Sequence, residues 1–344
     1  MHMPKRDAVT LREIADALGV TRMTVSRALN GSPHLTPETR ERILAKAHEL
    51  GYRANSMARR INEGQYRGMA LIGSQARPEY NIFEQPFHLA IGATLAERSW
   101  HLTQGWLPAD GLEDPAVVKS LLDRMLADAV VLHDVGIQTR NAEEIMARHH
   151  IPTVWANSGR TRNGIDFADA DGTALAVRHL LEQGYRRPAL MIGIEPDAGD
   201  HISTRERARG FAAGCAQAGI PAWLLHPPTR IPYREMLEPF RKLFAAPERP
   251  DAVVCYNEEL TILVRIIAAE RGWRIGPDLG VVTILASGKT LIDQPYTTLE
   301  LDYHALGVAA VQMAWRILET GNQQPQVQIP VALIRPGAST NRNG

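Results

Sequence analysis

The hydrophobic pattern of this chain changes period once, near residue 67, and that change limits the folds open to it. Up to about residue 52 the apolar residues recur at helical spacing in three short runs, each bounded by cap and turn residues. From residue 68 onward, short apolar runs alternate with longer helical stretches. Helices alone build the first segment, whereas strand–helix alternation builds a parallel sheet with helices on both faces. The chain therefore reads as a small all-α head followed by an α/β body, and its 344 residues leave room for two or three domains.

The head is punctuated residue by residue. Thr10-Leu11-Arg12-Glu13 is a capping box, in which the hydroxyl takes one free N–H and the carboxylate another. Ile14, Ala15 and Leu18 then share a helical face, and Gly19 stops the helix. Thr21 caps a second helix, with Val25, Ala28 and Leu29 on one face and Arg22, Met23, Ser26 and Arg27 on the other. Asn30-Gly31-Ser32-Pro33 is a turn. Thr36-Pro37-Glu38 opens a third helix, whose stripe is Ile43, Ala47 and Leu50 and whose end is Gly51.

Two short helices joined by a glycine turn make a helix-turn-helix, whose second member enters the major groove with donors at its start. Any three-helix bundle with a polar outer face satisfies the same spacing. Charge favours the DNA reading. Residues 1–64 hold eleven Lys and Arg against seven Asp and Glu, a balance of +4, and the remainder of the chain carries −4. A basic head on a mildly acidic body suits a polyanion partner.

Val9-Thr10-Leu11-Arg12-Glu13-Ile14-Ala15, then Gly19 through Asn30, His34, Thr39-Arg40, Leu50-Gly51-Tyr52 and Asn55 together resemble the headpiece of the lac/purine repressor family, the LacI/GalR-type regulators. The stretch Val20–Arg27 is similar to gluconate-type members in particular. The resemblance implies that Arg22, Met23 and Arg27 face base edges. It implies that Thr10, Thr21, Ser26, Asn30, His34 and Tyr52 hold the DNA backbone. Loop solvation is the alternative for His34, and core packing for Tyr52.

The resemblance also makes residues 54–66 a hinge helix that forms on DNA, since so short a helix is marginal alone. Asn55, Ala58, Arg59 and Ile61 are its DNA contacts. Ile61 stands where relatives place a leucine wedge in the minor groove, and its branched β-carbon is stiffer. The alternative is a plain linker with Ile61 packed on the body. The expected division is a headpiece at 1–53, a hinge at 54–66 and an effector-binding and dimerisation domain at 67–344.

In the body the pattern predicts strands near 69–72, 102–107, 129–132, 153–155, 165–167, 189–192, 223–225, 252–256 and 281–285, with helices between them, including one at 117–126. A tail with strand Thr298-Leu299, helix 303–320 and strands near 327–334 returns to both halves. Two such halves face each other across a cleft, and ligands bind at the carboxyl ends of their strands. The resemblance implies a two-lobed, periplasmic-binding-protein-like fold. It is carried here by Gly184-Tyr185-Arg186-Arg187, Arg207-Ala208-Arg209-Gly210-Phe211 and Arg249–Val254.

Catalytic motifs do not emerge. The sequence has no phosphate loop, His-Glu-x-x-His or Gly-x-Ser-x-Gly elbow. His149 and His150 are adjacent, so a helix would turn their rings to different faces, and no metal or cofactor is expected. His201 could hydrogen-bond a ligand or stand in an exposed loop. Cys215 and Cys255 read as buried apolar residues in a reducing compartment.

Effector residues follow from the resemblance by position: Arg207 as the grip on hydroxyls or a carboxylate, Glu258 of Asn257-Glu258 where relatives have aspartate, and Asn157 where aspartate is also common. The surface alternative for Arg207 is a salt bridge with Glu206. Thr283-Ile284-Leu285-Ala286 replaces a stretch that carries two acids in relatives. Trp155 and Phe83 could stack on a sugar face or serve the core.

The expectation is thus a DNA-binding repressor of a carbohydrate or sugar-acid operon, controlled by a metabolite between the lobes. It binds pseudo-palindromic double-stranded operator DNA as a homodimer, because one short recognition helix reads too few bases. Residues 339–344 show no heptads, which favours a dimer over a tetramer. No apolar run is long enough to span a membrane and no signal peptide opens the chain, so a cytoplasmic, non-enzymatic protein is expected. The rival readings are control of nucleobase or other metabolism, and an enzyme domain fused to a DNA-binding head.

Overall fold

The structure, a computed structural model, describes residues 9–29, 32, 34–52, 66–74, 85–107, 114, 116–117, 120, 127–133, 140–148, 150–192, 201–226, 233–287, 296–334 and 337–342. Asn30, Asn55, Ala58, Arg59, Ile61, Phe83, His149 and most of the helix expected at 117–126 lie outside the described residues. The chain divides into two compact units, residues 1–66 and 67–344.

The first unit holds α1 (Leu11–Leu18), α2 (Arg22–Leu29) and α3 (Pro37–Glu49). The capping box forms. Thr10 N–H donates to Glu13 Oε2 at 2.6 Å, and Glu13 N–H donates to Thr10 Oγ1 at 3.4 Å. These bonds hold the Glu13 carboxyl below its usual range. Gly19 ends α1 in the left-handed region at φ 66°, which glycine enters without steric cost. Thr21 Oγ1 accepts from Thr24 N at 3.1 Å, and Thr36 Oγ1 from Thr39 N at 3.3 Å. Ile14, Ala15, Val25, Ala28, Ile43 and Ala47 interlock as the core, with Leu18, Leu29, Leu50 and Tyr52 packed against it.

The second unit contains two six-stranded sheets. The first uses β1 (Gly68–Ser74), β2 (His101–Leu107), β3 (Ala129–His133), β4 (Thr153–Ala156), β5 (Gly164–Phe167) and β11 (Val327–Ile329), in the order 11-5-4-3-1-2. The second uses β6 (Pro188–Met191), β7 (Trp223–Leu225), β8 (Ala252–Cys255), β9 (Gly280–Ala286), β10 (Thr297–Leu301) and β12 (Val331–Ile334), in the order 12-10-9-8-6-7. Every pairing is parallel except that of β12 with β10. The central strands β3, β4, β5, β6, β8 and β9 are buried throughout, as parallel strands covered on both faces must be.

The helices of this unit are α4 (Gln85–Glu97), α5 (Arg140–Arg148), α6 (Asp169–Glu182), α7 (Ile202–Gln217), α8 (Tyr233–Ala245), α9 (Glu258–Glu270) and α10 (Tyr303–Thr320). Among the described residues the chain passes between the sheets three times: from β5 through α6 to β6, from β10 through α10 to β11, and from β11 to β12 across Pro330 alone. The tail therefore closes an edge of each sheet, as its two short apolar runs imply. Helix α6 packs on the second sheet and α7 on α6. That last contact is so close that a Cβ at Gly210 would run into the backbone of Ala170. Among the described residues no helix is long and apolar enough to cross a membrane.

Candidate DNA-reading helix and interlobe site

In the head, α2 buries Val25 and Ala28 and turns Arg22, Met23 and Arg27 outward, with Met23 at 62% exposure. A methionine left so open on a basic face is unsatisfied by the fold and suits apolar contact with base edges. Thr10 and Thr21, also exposed, are engaged as helix caps and sit at the starts of α1 and α2. Ser26 is half-buried and His34 exposed. Tyr52 packs on the head core, and its N–H donates to Ala47 O at 2.8 Å. The Arg40 guanidinium donates to the Ser32 carbonyl, which ties α3 to the segment following α2.

In the body, Arg207 is not a surface residue. It is 5% exposed, and its Nε donates to Asp169 Oδ1 at 2.8 Å. One Nη donates to the Tyr256 carbonyl at 3.2 Å, and the guanidinium lies 4.2 Å above the Tyr256 ring. Burial works against the charge, but Asp169 outweighs it and holds the guanidinium well above its usual range. The surface pairing with Glu206 does not form, since Glu206 pairs with Arg209 at the helix exterior. Charged groups seek the partner that survives desolvation, and Asp169 at the start of α6 is the buried one.

Asn157 follows β4 in the first lobe. Its φ is 54°, it is buried, and its Oδ1 accepts from Ser203 Oγ at 3.2 Å across to α7. Ser203 lies one helical turn before Arg207, so Asn157 and Arg207 address the same face of α7. Glu258 is the exposed first residue of α9, two positions beyond the Tyr256 carbonyl that holds Arg207. Asn257 is engaged as the cap of α9, accepting from Leu260 N at 3.0 Å. His201 is not in an exposed loop: it is half-buried and caps α7, its Nδ1 accepting from Ser203 N at 3.2 Å. Trp155 belongs to the first lobe's core. Cys215 and Cys255 are buried, and burial pushes their thiols up to about 11 and about 12.

Sequence reasoning passed over Asp166. It sits in β5 between Ile165 and Phe167, 3% exposed. Its Oδ1 accepts from the backbone N–H groups of Ser158 at 2.7 Å and Gly159 at 2.8 Å. Its Oδ2 accepts from Gln326 Nε2 at 2.7 Å. Burial pushes the carboxyl above its usual range, and these hydrogen bonds pull it back. The signal was available, because an acid inside an otherwise apolar strand must be paired.

Against known proteins, residues 10–55 match the profile of bacterial regulatory proteins of the lacI family, and residues 177–340 match a periplasmic-binding-protein-like domain. The HTH-type transcriptional regulator AglR of Rhizobium meliloti (strain 1021) is 28% identical over 287 residues, spanning 80% of this chain and 77% of that protein. The fold is similar to that of a chain in the crystal structure of the lac repressor dimer bound to operator and the anti-inducer ONPF, with TM-score 0.81, 22% identity and 97% and 99% of the two chains covered. The transcriptional regulator CelR in complex with cellobiose aligns with TM-score 0.66 and 22% identity over 96% of this chain and 99% of that one.

Proposed function

Because this chain belongs to the lacI family of bacterial regulatory proteins, we propose that it is a transcriptional repressor whose head reads operator DNA and whose body answers to a small metabolite. The observation that carries the reading is the match over residues 10–55 together with the outward set Arg22, Met23 and Arg27 on α2. An arginine fork pairs with guanine in the major groove, and a methionine packs against apolar edges beside it. Thr10, Thr21, Ser26, Asn30, His34 and Tyr52 position the head on phosphates. Asn55, Ala58, Arg59 and Ile61 belong to a hinge over 54–66 that joins the head, 1–53, to the body, 67–344.

The protein works as a homodimer on a pseudo-palindrome, since two heads double the sequence read. Leu224 on the edge strand β7, and Ile262 and Ile266 on one stripe of α9, stand exposed and supply apolar surface for a second copy. The effector is a carbohydrate or sugar acid, held by Arg207, Asn157 and Glu258. Arg207 and Glu258 present a donor fork and an acceptor, which suits a polyhydroxylated ligand. The cellobiose complex of the transcriptional regulator CelR supports the same class. The body binds its ligand without turning it over, and the protein acts in the cytoplasm, where its operator lies.

Selection of duplexes from a random pool by the full chain, followed by anisotropy on the winner, tests the first claim. A palindromic site bound by two copies is the expected result, and recovery of no preferred sequence would refute it. Titrating that complex with cellobiose, lactose and gluconate tests the second. Release or tightening by one of them is expected, and indifference to every sugar and sugar acid would move the effector to another class.

A further inference from the structure

The effector reading makes Asn157 a ligand contact, but an asparagine at φ 54° needs something to keep it there. Gly159, two residues on, is also left-handed at φ 75°, so the turn 157–159 points successive N–H groups inward. Asp166 Oδ1 is the acceptor at which the Ser158 and Gly159 N–H groups converge. The outer side of the turn sits on the first turn of α7. Asn157 meets Ser203 there, and Gly159 packs so tightly under Ile202 that a Cβ would clash with its side chain.

Behind the turn lies the segment by which the chain returns from α10 to β11. Gln324 N–H donates to Asn163 Oδ1 at 2.8 Å, and Gln326 N–H donates to Thr161 O at 3.1 Å. Gln326 Nε2 reaches Asp166 Oδ2. One carboxylate thus joins a returning crossover to the turn that touches the other lobe. Ser158 and Thr204, on either side of the Asn157–Ser203 contact, are 7% and 8% exposed, and their buried hydroxyl oxygens have no hydrogen-bond partner among the described residues. Buried hydroxyls are rarely left so, and here they add hydrogen-bonding capacity at the place the turn presents.

We propose that Asp166 is a positioning residue for the effector site: its carboxylate clasps the turn 157–159 against α7 and, through Gln326, ties that turn to the segment crossing between the lobes. The naming of an effector site rests on the reading above; the clasp does not. Gln326 thus draws on the same carboxylate that sets Asn157. An isosteric amide preserves the geometry. In Asp166→Asn, Oδ1 still accepts from both backbone groups, and a flipped Gln326 amide accepts from the new Nδ2.

The test is hydrogen–deuterium exchange on the full chain without DNA or sugar, following the amides of Ser158 and Gly159, the first turn of α7, and β8 as a distant control. Asp166→Ala should speed exchange in the turn by about tenfold or more, because the Ser158 and Gly159 N–H groups lose their shared acceptor. It should also loosen the first turn of α7 and leave β8 unchanged. Asp166→Asn should match the parent, and Gln326→Leu should speed the turn in the same direction as alanine. Parent-like exchange in Asp166→Ala overturns the proposal, as does an asparagine variant that exchanges as fast as the alanine one. If Asp166→Ala does not fold, Gln326→Leu decides, and parent-like exchange there overturns it. Operator release by cellobiose or gluconate, titrated separately, tests the effector reading, and its failure leaves the exchange result standing.

Discussion

Arg207 and Asp169, 38 residues apart in sequence, form an ion pair with Nε to Oδ1 at 2.8 Å, and their side chains are 5% and 4% exposed. A buried pair is far more sensitive to losing one member than to losing both. Asp169→Ala should destabilise the body by about 3–5 kcal/mol, because it strands a guanidinium, whereas the double change Arg207→Met with Asp169→Leu should cost much less. Urea unfolding of the full chain separates the two cases. Equal losses in the single and double variants would mean that the residues are not coupled.

Arg27 is exposed on α2, and its side chain makes no ion pair or hydrogen bond among the described residues. Arg27→Ala should leave unfolding unchanged and weaken operator binding by about 1–3 kcal/mol, with relaxed preference at one base pair. Anisotropy on the selected duplex and on its single-base variants measures both. Affinity and preference equal to the parent's would remove Arg27 from base readout.

Much of the fold could be read from local chemistry. Thr10, Gly19, Thr21 and Thr36 mark helix boundaries through bonds that close within four residues, Pro37 does so by its fixed φ at the first helical position, and the structure contains those boundaries. Runs such as Ala129–His133 and Ala252–Cys255 announce central strands because both faces are covered. The partners at the site were not legible. The choice of Asp169 over Glu206 by Arg207 depends on how near α6 comes to α7, which is set by Gly210 meeting Ala170, a long-range fit that no local pattern encodes. The role of Asp166 likewise depends on Gln326, 160 residues later in the chain.

Gly210 offers a direct measure of that fit. Gly210→Ala drives a methyl into the Ala170 backbone and should destabilise by about 1–3 kcal/mol or more, with α6 and α7 forced apart. Gly92, inside α4, has nothing within 4 Å of where a Cβ would stand. Gly92→Ala should therefore stabilise by about 0.5–1 kcal/mol. Thermal unfolding of the two variants side by side tests the contrast, and a harmless Gly210→Ala would show that the helices have slack.

His179 of α6 is buried, with Nε2 at 2.9 Å from Thr340 Oγ1 and Thr340 in turn 2.7 Å from Thr297 Oγ1. Burial lowers its basicity below the usual 6.5, opposed in part by Glu182. A histidine depressed in the folded state contributes stability above its unfolded value, which is lost as pH falls through the folded one. The melting temperature should therefore decline as pH drops below about 6.5. In His179→Gln, which keeps a hydrogen-bonding side chain without the titration, the decline should be shallower. Identical pH profiles for the two proteins would exclude His179 as the cause.

Pro330 is the one residue between β11, the last edge of the first sheet, and β12, the last edge of the second. During synthesis, a ribosome that has made everything up to residue 326 has produced neither lobe in finished form. Both β5 and β10 still present an open row of backbone groups, a template for pairing with other chains. Residues 327–334 then complete both sheets at nearly the same moment. A chain cut before Val327 would thus not be a protein with one working lobe. It would be a chain with two raw edges, each open to pairing with another chain.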